Sequence, residues 1–268
     1  QTNATLIDAA WCRLFSEHQV RVGVSIDGPA GLHDRHRRTR NGKPTHAKVL
    51  HGLQQLRAQG IAFHAIAVVT RDTLAEPDAF FDFFLEQGIL DLGCNFDEAE
   101  GVHARSSLAD SEGAHARFLE RLLQRSVASG SQVVVRELAS AHQHIAQALP
   151  QYAWQGRQWP DNAQVRPLAL ISVAWNGDFS SFSPELLGQP CAEYGNFVLG
   201  NVATGGYRDA LLSPAMQVLW PALAAGLEAC ERECAYFAFC GGGAPANKWY
   251  ENANLASTET LYCRSMVQ

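Results

Sequence analysis

Val20-Arg21-Val22-Gly23-Val24-Ser25-Ile26 is a short, nearly all-apolar run, closed by Asp27-Gly28-Pro29. A strand apolar on both faces needs cover on both faces, the situation of a parallel sheet. Asp-Gly-Pro is turn chemistry that ends such a strand. Downstream, residues 45–59 carry a helical stripe of Val49, Leu50, Leu53 and Leu56. Residues 61–70 read as a strand, 77–87 as a helix and 89–96 as a strand. Residues 112–129 read as a long helix with Phe118, Leu119 and Leu122 inward. Upstream, residues 5–15 read as a helix with Leu6, Ala10 and Leu14 on one face. Strands alternating with helices make parallel βαβ units, so residues 1–150 read as one α/β domain.

That domain offers about three good strands, and three parallel strands leave a long unpaired edge. The chain also begins with Gln1 in place of Met. The expectation is that further strands precede Gln1 and that the chain is a piece of something longer. Residues 134–149 read as one more helix, and residues 151–165, irregular and aromatic, as a linker. From 166 to 268 the pattern changes. Two apolar runs flank Asn176-Gly177, the strongest short hairpin signal. A helix follows at about 213–229, and the remainder is loop-rich.

Nearly half of the 268 residues are apolar, enough for a sizeable core. The net charge of −6 argues against a nucleic-acid partner, which leaves a basic footprint. The apolar runs fall short of a membrane span and no stretch reads as an export signal, so the expected location is the cytoplasm. Seven cysteines cannot pair completely. Close spacing without an export signal favours metal binding over disulfides.

Cys230-x3-Cys234-x5-Cys240, then Gly241-Gly242-Gly243, then Cys263, is the densest chemistry in the chain. Thiolates are soft donors suited to iron or zinc. Glycines let backbone N–H groups approach cluster sulfurs, and Tyr236, Phe237 and Phe239 shield such a site from water. The same spacing also serves a zinc site or simply buried thiols. Cys12 on a helix face and Cys94 in a strand read as core, and Cys191 as a further ligand or a buried thiol. Asn95, Asp97, Glu98, Glu100 and His103 follow the third strand, at the end of a parallel barrel that carries active-site residues. Glu98 or Glu100 there is a candidate catalytic proton acceptor, or part of a solvated loop. Asn247 and Lys248 orient the cysteine loop or cap it.

Three stretches resemble one family, the radical SAM/SPASM peptide maturases. Val24-Ser25-Ile26-Asp27-Gly28-Pro29 with His33-Asp34 and Arg37 resembles the fourth-strand region of their radical SAM core. Cys191 through Tyr194-Gly195-Asn196-Phe197-Val198-Leu199-Gly200-Asn201-Val202 resembles a SPASM domain. Cys230 to Cys263, with Cys240-Gly-Gly-Gly-Ala-Pro-Ala-Asn-Lys, is similar to maturases of glycine-rich repeat peptides. The resemblance implies an α/β fold: the C-terminal part of a partial (β/α)6 TIM-like radical SAM barrel, followed by a small loop-rich SPASM iron–sulfur domain. It implies an auxiliary [4Fe–4S] cluster on Cys230, Cys234, Cys240 and Cys263. It further implies S-adenosylmethionine held by Ser25 and Arg37, with Asp27 shaping its pocket. The reaction implied is a 5′-deoxyadenosyl radical taking hydrogen from a ribosomally made precursor peptide, with a cyclophane-type crosslink as the product. A reductant such as flavodoxin or ferredoxin is the expected electron donor.

The departures are equally informative. No C-x3-C-x2-C motif precedes Ser25, so the second [4Fe–4S] cluster is expected on an N-terminal radical SAM portion outside the chain. Ala244 stands where a further cysteine is usual, which leaves one auxiliary cluster. Ala192 follows Cys191 where sulfatase-maturing enzymes carry a carboxylate, which favours crosslinking over the alternative, formylglycine formation. A non-catalytic four-cysteine peptide-recognition module is the remaining alternative.

Overall fold

The computed structural model of the chain describes residues 1–101 and 105–267. The chain divides into two compact units, 1–97 with 110–143, and 98–109 with 144–268. The first unit starts with α1 (Ala9–Glu17), capped by Asp8, whose Oδ1 accepts from the N–H groups of Ala10 and Trp11 at 2.9 and 3.0 Å. Then come β1 (Val22–Ser25), α2 (Ala30–His36), α3 (His46–Ala58), β2 (Phe63–Val69), α4 (Arg71–Leu74) and α5 (Pro77–Glu86). β3 (Asp91–Phe96), α6 (Glu112–Ala128), β4 (Val134–Val135) and α7 (Arg136–Ala146) complete the series.

The four strands form one parallel sheet in the order β1-β2-β3-β4. Val24 lies opposite Ala65, Ala67 opposite Cys94 and Leu92 opposite Val135. Phe80, Phe81, Phe84 and Phe118 are fully buried around it, with Phe80 edge-on to Phe84 at 5.0 Å. The cover comes from α5, whose Pro77 starts the helix at the position where a missing N–H is harmless.

Three expectations change here. Residues 134–149 are not one helix: Val134–Val135 first pair with β3, and the helix begins at Arg136. The free edge of β1 is partly satisfied by Thr2, which donates to Gly23 O and accepts from Ser25 N–H, both at 2.9 Å. The first helix starts at Ala9 and turns Cys12 inward, leaving Leu6 and Leu14 exposed. Cys12 and Cys94 are buried, as their positions predict.

The second unit opens on β5 (Gln151–Trp154) and β6 (Arg157–Pro160), an antiparallel hairpin where the sequence read as irregular. Its turn places Gln155 and Gly156 both at positive φ, 49° and 78°, the two-residue geometry that fits strand twist. β7 (Ile171–Val173) and β8 (Asp178–Ser181) form the expected hairpin around Asn176-Gly177, and β9 (Gly200–Asn201) joins β8. α8 (Tyr207–Ala210), α9 (Pro214–Glu233), α10 (Phe237–Cys240) and α11 (Pro245–Asn252) follow. A core of Trp159, Phe179, Phe182, Phe197, Leu223 and Leu227 holds the unit together, with Trp159 edge-on to Trp220 at 5.8 Å. Among the described residues no helix is long and apolar enough to cross a membrane.

Candidate functional site

At the end of β1, Asp27 is 5% exposed and fixes three neighbours. Arg37 grips it with a two-bond fork, Nε to Oδ2 and Nη2 to Oδ1, the latter at 2.9 Å. The Val68 N–H adds a third bond to Oδ1 at 2.9 Å. The Asp27 N–H donates to His33 Nδ1 at 3.2 Å, so that nitrogen is the acceptor. His33 Nε2 then donates to Thr45 Oγ1 at 3.1 Å, and Thr45 Oγ1 donates to Arg37 O at 2.7 Å. Burial pushes the fully enclosed His33 down to about 4, which keeps it neutral for this relay of bonds. Asp34 Oδ1 accepts from the N–H groups of Thr45 and His46 at 2.8 and 2.9 Å, capping α3.

Ser25 and Arg37 line one cleft of about 280 Å³, together with Thr5, Arg38, Thr39 and Lys48. Ser25 Oγ accepts from Gln1 Nε2 at 3.0 Å. The lining carries several cations and hydroxyls, a chemistry suited to an anionic group. The structure thus brings Ser25 and Arg37 together, and it commits the Arg37 fork to Asp27. A larger cleft, about 430 Å³ beside Arg71, Pro77, Arg117 and Phe118, is lined by none of the candidate site residues.

In the second unit, Cys230 lies in the last turn of α9, Cys234 caps that helix and Cys240 ends α10. Cys263 opens the C-terminal turn, 263–267. Cys230 and Cys263 donate to the same carbonyl, Thr258 O, at 3.6 and 3.9 Å. The Thr260 hydroxyl lies 3.4 Å from Cys263 Sγ. Burial raises the Cys230 thiol, the nearby Lys248 opposes that, and the charges of Cys263 and Cys234 add to it. Cys240 is pushed up to about 11, first by burial and then by Cys263, while the N–H groups of Gly242 and Gly243 pull it back. Cys263 and Cys234 thus lie within electrostatic reach of Cys230, and Cys263 and Cys230 within reach of Cys240.

Gly241, Gly242 and Gly243 all have positive φ, which turns the loop around Cys240. Lys248 is 3% exposed and places Nζ 3.6 Å from Cys230 Sγ. No group of three or more described His, Cys, Asp or Glu side chains is arranged to hold a single metal ion. Cys191 packs half-buried against the aromatic core, its N–H bonded to Asn196 Oδ1 at 2.9 Å.

Glu98 and Glu100 belong to this second unit. Burial pushes Glu98 up to about 7, the Asn247 side chain bonds it and lowers it, and Glu100, Glu251 and Glu185 raise it further. Asn247 is 5% exposed. Asn95 and Asp97 face other work: Asn95 Oδ1 accepts from Arg136 at 2.8 Å, and the Asp97 N–H donates to Val69 O at 3.0 Å. His103 lies outside the described residues. Lys248 and Asn247 are the residues that sequence reasoning underweighted. Their signal was their place in the run after Cys240, where a lysine three residues beyond a proline falls inside a short helix and turns inward.

No family model matches the chain. It is 38% identical over its whole length to the uncharacterised protein sll1766 of Synechocystis, and spans 66% of that relative. It is 36% identical over 129 residues to a serine-type anaerobic sulfatase-maturating enzyme of Bacteroides thetaiotaomicron, over 44% of this chain and 30% of that one. A cysteine-type enzyme of Clostridium perfringens is 33% identical over 87 residues, 32% of this chain and 24% of that one. The chain thus spans just under two thirds of the first of these curated relatives. Its fold is that of native anSMEcpe with bound AdoMet, with a TM-score of 0.74 at 20% identity over 99% of this chain and 70% of that one. Native anSMEcpe with bound AdoMet and Cp18Cys peptide gives 0.71 at 20% identity, over 99% and 70%. Homology to the sulfatase-maturating enzymes and possession of their α/β fold support a place for this chain in the radical SAM/SPASM family.

Proposed function

We propose that the chain is part of a radical S-adenosylmethionine enzyme of the sulfatase-maturating kind. In this reading it oxidises a side chain of a bound peptide, and Cys230, Cys234, Cys240 and Cys263 hold one auxiliary [4Fe–4S] cluster. The first unit is then part of a radical SAM barrel and the second a SPASM domain. The observation that carries the reading is that Cys230 and Cys263 share the Thr258 carbonyl, with Cys240 in electrostatic reach of both and Cys234 in reach of Cys230, in a chain related to sulfatase-maturating enzymes.

Four cysteine thiolates are the donor set of a [4Fe–4S] cluster and equally of a structural zinc site, so the metal content decides between them. Two glycine N–H groups at Cys240 supply hydrogen bonds of the sort that tune such clusters. When bound, the cluster supplies one-electron chemistry.

The chain's own residues do the rest. The Ser25 hydroxyl and the cations of the 280 Å³ cleft bind the anionic end of S-adenosylmethionine, and Asp27 holds Arg37 and β2 in register around it. Glu98, poised near 7, accepts the proton that leaves the oxidised carbon, and Asn247 holds it in place. A peptide is the proposed substrate, because the structural neighbour binds one.

One observation favours a second reading, crosslinking of a precursor peptide: Ala192, not a carboxylate, follows Cys191. Both products lose hydrogen, but only formylglycine carries an aldehyde. The test has two parts. Anaerobically prepared chain is assayed for iron and sulfide, expected at roughly four of each; about one zinc and no sulfide refutes the cluster. The whole protein is then incubated with reductant, S-adenosylmethionine and a serine- or cysteine-containing sulfatase peptide. A product that a hydrazide probe captures supports maturation, and hydrogen loss without capture supports crosslinking.

A further inference from the structure

We propose that Lys248 is the charge-compensating residue of the four-cysteine centre, and that its buried ammonium raises the reduction potential of the cluster bound there. This inference rests on the cluster reading above and deepens it.

Lys248 is 3% exposed on α11. An ammonium removed from water without a counter-charge costs several kcal/mol. Among the described residues no carboxylate lies within ion-pair distance of Nζ, and its hydrogen-bond partner is Cys230 Sγ at 3.6 Å. A neutral thiol is a weak acceptor and offers no charge. Gly226, one turn before Cys230 on α9, admits the crossing backbone at Leu255 O, 2.5 Å from where a Cβ would stand, and Lys248 Nζ lies 3.1 Å from the same point. A buried cation against Cys230, with Cys234, Cys240 and Cys263 in electrostatic reach of that sulfur, is compensated when the thiols carry net negative charge.

A four-iron cluster on four thiolates supplies that charge, and gains another negative charge when it takes up an electron. A fixed cation nearby stabilises the reduced form more than the oxidised one, so it raises the potential. Lys248 does this from a dry position, where screening by salt is weak. Its neighbour Asn247 bonds Glu98, so α11 carries the redox-tuning group and the acid–base support on adjacent residues.

The test is an anaerobic redox titration of the cluster-loaded protein, followed by electron paramagnetic resonance. The variants are Lys248→Met, Lys248→Gln and Lys248→Arg. Loss of the charge in Met and Gln is expected to lower the reduced-to-oxidised ratio at fixed potential at least tenfold, about 59 mV for a one-electron couple. Arg, which keeps the charge, is expected to stay within that margin of wild type. Gln keeps an N–H donor, so a wild-type potential in the Gln variant overturns the claim that charge is the lever. Unchanged potentials in both Met and Gln overturn the proposal outright. Iron and sulfide are measured in every sample. Wild-type protein without them defeats the cluster reading itself, and this inference falls with it. Loaded variants with unshifted potentials defeat the inference alone. As a control on folding, the metal-free Met variant is expected to melt no lower than metal-free wild type, because it removes an uncompensated buried cation. A markedly lower melting temperature assigns Lys248 a structural role and overturns the proposal.

Discussion

Replacing Arg37 by Met tests whether the fork at the end of β1 is structural. Asp27 is almost fully enclosed, whereas the Arg37 side chain is 28% exposed. Two opposite charges about 4 Å apart attract by roughly 4 kcal/mol at an effective dielectric near 20. Breaking a buried pair from one side costs about 3–5 kcal/mol because the other charge is stranded. The partial exposure of Arg37 moves the expectation to the lower end, about 3 kcal/mol. Val68 N–H then remains as the main bond to the carboxylate. The assay is native-state hydrogen exchange followed over residues 63–69, where a loss of about 3 kcal/mol accelerates exchange by roughly two orders of magnitude. The double variant Asp27→Asn with Arg37→Met recovers most of the loss, since no charge is left stranded. Exchange within about threefold of wild type in Arg37→Met refutes the reasoning. It would return Arg37 to the role its sequence motif implies, a direct ligand of the cofactor with no structural duty.

Glu98→Gln bears on the proton site. Burial raises the folded-state carboxyl to about 7, so the folded protein holds that proton above the range where the unfolded chain releases it. Stability therefore falls as pH rises from about 4.5 to about 7, and the Gln variant should flatten that slope in thermal melts taken across the window. Activity of the whole enzyme should rise with pH through about 7, and the Gln variant should lose that limb; an unchanged profile removes Glu98 from the mechanism. Gly242→Ala forces a side chain onto φ +96° and drives its Cβ into Leu227 Cδ2. The expected cost is about 2–4 kcal/mol with reduced iron content, and a wild-type melt and iron load would contradict the close approach. Cys240→Ala should abolish cluster binding in iron and sulfide assays, whereas Cys191→Ala should leave it intact. Equal loss in both would make Cys191 a ligand.

The strands around residues 61–70 and 89–96 were legible because a buried parallel strand writes itself as an apolar run between turn signals. β4 was not, because two residues carry no period and Val134-Val135 abut the first helical residue. The β5–β6 hairpin had a signal that reads clearly only in retrospect: Tyr152 and Trp154 alternate with exposed neighbours, and Gln155-Gly156 occupies a turn that requires two positive φ values. Glycine at the second of those positions is a standard mark; glutamine at the first is not, and it hid the turn. The cysteine spacing pointed to metal chemistry and placed Lys248 beside the cysteine loop, but it could not show that Lys248 is buried, since only a fold removes the water around a lysine.

That difference has a physical root. Ligand residue types are chosen by bond chemistry, so they show in one dimension. Groups that set charge around a ligand act through burial and distance, which exist only in three. α11 illustrates the point within eight residues. Ala246 N–H is fixed by the Ser183 hydroxyl at 3.1 Å, Asn247 bonds Glu98, and Lys248 faces Cys230. A substitution that moves this helix would therefore disturb the acid–base and thiol sites together, while one at either end contact alone would not. Ser183→Ala, which leaves the Ala246 N–H without its side-chain acceptor, tests this. It should shift both the pH limb assigned to Glu98 and the cluster potential, and a shift in one without the other would show that the helix does not couple them.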